Sequence, residues 1–163
     1  MDFFLTQFSL HFVSFSPTIL SCDVVDSNGG PRYAVRTELL NGTLVTTVTD
    51  ALGRALAILD WKNKPAVEIS GHIGRQAASE WLVRSENGSS RTMELGAMHY
   101  RWVTHEDNLC LTMHLRPGAD VLCRVTKTRD MITLELTQNA IVIGLELPAI
   151  VATMLLMSGR NID

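Results

Sequence analysis

Histidine is the side chain best suited to proton transfer or metal binding near neutral pH, and three of the five in this 163-residue chain lie close together. His99, His105 and His114 fall on two adjacent strand-like runs and their connecting turn, beside Glu106 and Asp107. Two imidazoles with a carboxylate suit iron or zinc when neighbouring strands bring them within reach. Their spacing follows no recognised ligand signature, and His99 and His105 stand at opposite ends of one run. The expectation is no metal and no other cofactor. His72, between Gly71 and Gly74, lies in a loop, where function concentrates. His72, His99, His105 and His114 are therefore the candidates for acid–base catalysis, with Glu68 or Glu94 as partners.

Nucleophiles and phosphate cradles are poorly represented. Cys22, Cys110 and Cys123 are far apart, form no C-x-x-C spacing and sit inside strand-like runs, so they read as reduced, buried thiols. Ser79, Ser89 and Ser90 lie in no G-x-S-x-G elbow, and no glycine-rich phosphate loop occurs. Two groups of residues suggest ligand binding instead. Trp61, Trp81 and Trp102 are candidates to line an apolar cavity, against the competing role of filling a core. Arg101 and Arg124, expected on facing strands, suit bidentate recognition of an anion, against the competing role of pairing with Glu38, Glu94 and Glu135. Met93, Met98 and Met113 read as gap fillers.

These side chains must be positioned by strands. The chain is 46% hydrophobic and 19% charged, which suits one domain over residues 1–163 with a single core. A net charge of -3 supplies no basic excess for nucleic acid. Met1 to Phe15 lacks a basic n-region and a clean apolar stretch, and its alternation reads as a first strand, not an export signal. Short β-rich runs then recur every 8 to 12 residues or so, the rhythm of an all-β sandwich or barrel. They are Ile19 to Val25, Arg32 to Leu39, Leu44 to Thr49, Ala55 to Trp61, Ala66 to Ser70, and Arg91 to Leu95. His99 to Thr104, Leu109 to Leu115, Val121 to Lys127 and Met131 to Thr137 bring the number to about eleven. Turn signals such as Asn41-Gly42 and Asp50 to Gly53 separate them. Ala77 to Val83 reads as a short helix on a crossover, with Trp81 and Leu82 inward.

Ala140 to Met157 differs in kind, because Glu146 is its only charge and it shows no strand alternation. Glu146 and Pro148 near the middle argue against a membrane span. A helix from about Leu147 to Met157 has Pro148 in its first turn and is roughly 15 Å long, too short to cross a bilayer. A helix apolar on every face must be surrounded, and the strands are there to surround it.

That order resembles the tubby-like fold, shared by the tubby C-terminal domain, the phospholipid scramblases and the LURP-one-related proteins. More closely it resembles an uncharacterised family of small tubby-like proteins of mushroom-forming fungi. The match is carried by Tyr33-Ala34-Val35-Arg36-Thr37, Ala57-Ile58-Leu59-Asp60-Trp61 and Ala78-Ser79-Glu80-Trp81-Leu82. Gly96-Ala97-Met98-His99-Tyr100-Arg101-Trp102 and Ile150 to Leu156 complete it. The resemblance implies a mainly β protein, a closed antiparallel barrel of about 12 strands around a hydrophobic C-terminal helix. The basic phosphoinositide pocket of tubby does not carry over, since the chain has only Lys62, Lys64 and Lys127; neither does a calcium loop of the D-x-D-x-D-G type. By analogy of fold, the expected function is a non-catalytic, cytoplasmic module binding a lipophilic small molecule or an anionic lipid headgroup, with peripheral membrane contact possible. The alternative is a small enzyme of fungal secondary metabolism acting on an apolar substrate at one barrel end.

Overall fold

Alternation of inward apolar and outward polar residues marks most of the segments as far as Leu136, though not those around Ile73 to Ala77. In the computed structural model, which describes residues 5–113 and 120–163, these segments become thirteen antiparallel strands. The first seven are β1 (Phe8–Val13), β2 (Cys22–Asp26), β3 (Pro31–Leu40), β4 (Thr43–Asp50), β5 (Ala55–Asp60), β6 (Ala66–Ile69) and β7 (Ile73–Ala77). A single helical turn, α1 (Ala78–Trp81), leads directly into β8 (Leu82–Arg84) and then β9 (Ser90–Leu95), β10 (Met98–His105) and β11 (Asn108–Met113). Finally β12 (Cys123–Lys127), β13 (Ile132–Leu136), α2 (Gln138–Val142) and α3 (Glu146–Met157) complete the described chain.

Every strand pairs with its neighbours in sequence, and β13 returns to pair with β1, with Phe8 opposite Leu136 and Phe12 opposite Ile132. The one break is between β7 and β8. Laid flat, thirteen strands would set these edges about 58 Å apart. The four residues of α1 that join them cannot reach beyond about 18 Å even fully extended. The sheet must therefore curl until its edges nearly meet, and α1 packs against β6, β7, β8 and β9 across the gap. Of the expected barrel of about 12 strands, the antiparallel sheet is present with thirteen strands, and its edges are not joined by hydrogen bonds. An odd number of antiparallel strands leaves β7 and β8 pointing the same way, so no antiparallel ladder can join them. Trp81, 1% exposed, seals the seam in place of a ladder.

α3 forms one core with the inward faces of the strands, and Pro148 through Leu155 are buried without exception. The buried Thr153 hydroxyl donates to the Ala149 carbonyl at 2.7 Å, so the helix interior holds no orphaned hydroxyl. The helix expected from about Leu147 to Met157 is α3, and the apolar residues before it form a second, short helix, α2. Gly144, at φ 80°, takes the left-handed position after α2. There the Leu145 amide donates to Ala140 and the Gly144 amide to Ile141, a Schellman stop. The first strand is shorter than expected, and Ile19 and Leu20 are buried in the turn before β2. The segment Ala77 to Val83, expected as one helix, is split between the end of β7, α1 and the start of β8. Among the described residues, no helix is long and apolar enough to cross a membrane.

Candidate functional site

The rim where β9 turns into β10 carries a largely apolar cavity of about 500 Å³. Gly96, at φ 59°, makes the two-residue turn that sets Leu95 opposite Met98. Met98, Tyr100 and Trp102 share one face of β10 by the two-residue period, so the face that buries Trp102 in the core opens at the rim as cavity wall. Met113, opposite Tyr100 on β11, extends that wall. Leu122 and Asp120 precede β12, and Asn139, Ile143 and Leu145 from α2 and the turn after it form the roof.

The roof is held by Thr137. Its hydroxyl donates to the Leu122 carbonyl at 3.0 Å and accepts from the Ala140 amide at 3.2 Å, so one side chain caps α2 and ties it to the cavity wall. The Schellman turn then places Leu145 inside and leaves Ile143 at the mouth. Met98 and Ile143 are 45% and 49% exposed, so the mouth of the cavity is edged by two apolar side chains. Polar groups are few. Asp120 and Asn139 stand at the rim, and the buried Tyr100 phenol, pushed up by desolvation and then by Cys123, stays neutral. A second hollow of about 310 Å³ adjoins the first and shares Asp120, Leu122 and Asn139 with it.

Among the described residues, none of the histidine, tryptophan and arginine candidates lines this cavity, whereas Met98 and Met113, expected as gap fillers, do. Trp102 is buried on β10, its indole donating to the Met93 sulfur at 3.4 Å, and Trp81 lies at the seam. Trp61 stands at the opposite rim, where its indole donates to Thr46 at 2.8 Å and Arg160 lies 5.1 Å from the ring centre. It lines an open depression there with Leu39, Lys62 and Lys64. Arg101 and Arg124 are both outward-facing with β11 between them. Arg124 meets Glu135 at 2.6 Å, and Arg101 donates to Ser90 at 3.0 Å. His72 is exposed in the β6–β7 turn; His99 faces out opposite Glu94, and His105 is at the far end of β10, 4.0 Å from Glu106. His114 lies outside the described residues. Among the described residues no three His, Cys, Asp or Glu side chains converge as a metal site would require.

At the same rim, Glu146 opens α3 and accepts the Tyr33 hydroxyl, with the Arg32 guanidinium 4.0 Å away. Burial, then the carboxylate, raise the Tyr33 phenol. This cluster fastens the helix N-terminus to β3, which explains the lone charge in the apolar run. Sequence reasoning missed Tyr100, Asp120 and Asn139 as site residues. The available signal was the shared parity of Met98, Tyr100 and Trp102, which points one strand face from the core to the rim.

Fold and cavity define the class: an antiparallel β protein curled on a buried C-terminal helix, with an apolar hollow at one rim. The chain belongs to a family of unknown function, DUF6593, whose model matches residues 16–161. No curated protein matches it. Among solved structures it is similar to a protein from Arabidopsis thaliana, at 11% identity over 88% of each chain and a TM-score of 0.48, a likeness too low to carry an argument.

Proposed function

We propose that this protein is a non-catalytic binding module whose ligand is a lipophilic small molecule held in the cavity beneath α2. The observation that carries the reading is the cavity itself: about 500 Å³, walled by Leu95, Met98, Met113, Leu122 and Leu145, with few polar groups. Ligand sites commonly span about 300–1,000 Å³, with an apolar wall and a small number of polar groups. Of the two ligand classes expected from sequence, the lipophilic molecule has this support. An anionic headgroup finds no lysine, arginine or histidine among the described lining residues. Binding is favoured over catalysis because, among the described lining residues of the cavity, a single carboxylate is the only acid–base group besides the neutral phenol. The sequential order of strands around a buried terminal helix supports kinship with the tubby-like fold, and three cysteines outside any disulfide suit a cytoplasmic location.

Fluorescence of N-phenyl-1-naphthylamine tests the reading. The native protein is expected to bind the probe with saturable enhancement, and Met98→Trp and Ile143→Trp, at exposed rim positions, are expected to weaken it by filling the mouth. No saturable binding, or binding indifferent to both substitutions, would overturn it.

A further inference from the structure

Resting on the cavity being a ligand site, we infer that its ligand is a cationic amphiphile, an apolar body bearing an ammonium group placed against Asp120. Asp120 lies where the two adjoining hollows meet, on the edge of an apolar wall. Among the described carboxylates it is the one that lines these hollows, and it lies outside the ion pairs that hold six others. Asp23, Asp50, Asp60, Glu135, Glu146 and Asp163 each have an arginine within 4.0 Å. Asp120 has no ion-pair partner among the described residues, and the described lining of both hollows offers no cation to supply one. Once an apolar ligand body fills the hollow and excludes water, this carboxylate attracts a positive charge more strongly than one in open water, since the local dielectric falls. The same field repels a carboxylate or phosphate headgroup.

The other polar groups agree with a cation carried on an apolar body. Asn139, which lines both hollows as Asp120 does, offers an amide oxygen, and Tyr100 presents an aromatic ring with a neutral hydroxyl, both compatible with an ammonium group. A hard metal ion would want six or more oxygen ligands, and the described lining of these hollows does not gather them. The cavity mouth at Met98 and Ile143 leaves the hydrocarbon body room to enter from the rim.

A matched series separates this inference from the one beneath it. Octylammonium, octanol and octanoate share one chain and differ only in head charge, and each can be titrated against N-phenyl-1-naphthylamine bound to the full chain. Octylammonium is expected to displace the probe about tenfold more tightly than octanoate, with octanol between them. Asp120→Asn, an isosteric change at an exposed position, is expected to abolish the preference while leaving octanol unchanged. Equal displacement by all three compounds would overturn the cationic ligand and leave the apolar site standing. A preference that survives in Asp120→Asn would also overturn it. Failure of the probe to bind would remove both.

Discussion

Trp81 is the point at which the curl of the sheet can be tested with one side chain. It lies on the single helical turn between the two sheet edges, is fully buried, and its indole nitrogen has no hydrogen-bond partner among the described residues. Trp81→Ala removes an aromatic body from the seam and leaves a cavity, a change that costs about 3–5 kcal/mol in well-packed cores. For a domain of this length each kcal/mol shifts the melting temperature by roughly 2–4 °C, so a drop of about 6–20 °C is expected. Trp81→Phe behaves differently. It gives up part of the buried area, but it also removes a buried donor whose unmet desolvation costs about 1–3 kcal/mol. The two nearly cancel, and Trp81→Phe is expected to melt within about 5 °C of the parent. Thermal unfolding by circular dichroism measures both. Hydrogen exchange gives a local readout, since β7 and β8 amides are expected to exchange faster in Trp81→Ala before those of β1 and β13 do. The reasoning fails if Trp81→Ala melts within about 2 °C of the parent, or if Trp81→Phe falls as far as Trp81→Ala.

Ending the chain at Glu146 removes Ile150, Val151, Met154 and Leu155 from the core, roughly 6–12 kcal/mol of burial against a typical total stability of about 5–15. The shortened chain is expected to be insoluble or unfolded, and a cooperative thermal transition near that of the full chain would refute a structural role for α3. Burial pushes the Cys22 thiol up to about 12, and Cys123 is raised by the same cause, so native protein at pH 8 is expected to react slowly with Ellman's reagent. Full reaction of all three cysteines is expected only in denaturant; rapid native reaction of either would contradict that burial. The Arg75 guanidinium donates to Asp60 at 2.7 Å and lowers its pKa below the ordinary 3.8. A lowered folded value means that the ionised carboxylate stabilises the protein above the unfolded pKa, and that this is lost as pH falls through the folded one. Asp60→Asn is expected to flatten the loss of stability between about pH 5 and 2 in denaturant titrations, and an unaltered acid limb would count against the pairing.

Much of the architecture is legible in the chain because its causes are local. Alternation in Phe8 to Val13 or Met131 to Thr137 needs only a two-residue period, and Asn41-Gly42 needs only a positive φ. An apolar run broken by Gly144 and carrying Pro148 declares a buried terminal helix within its own residues. The strands β7 and β8 were not legible. Ile73-Gly74-Arg75-Gln76-Ala77 shows no alternation and Leu82 to Arg84 is three residues long, so these segments are strands only because β6 and β9 lend them partners.

The candidate site divides in the same way. Histidine, tryptophan and arginine draw notice by type, yet type says nothing of place, and the fold puts Trp61 at one rim, Trp81 in the seam and Arg101 and Arg124 on the outer face. Met98 and Met113 were visible as gap-filling residues, and Asp120 carried no signal of its own. They become one cavity because β10, β11, the residues before β12 and the turn after α2 converge at one rim. The chain alone determined that strands would form and that α3 would be buried, since each is a property of neighbours in sequence. Where the sheet stops, and what its rim encloses, depends on pairing between segments scores of residues apart, which only the tertiary structure decided.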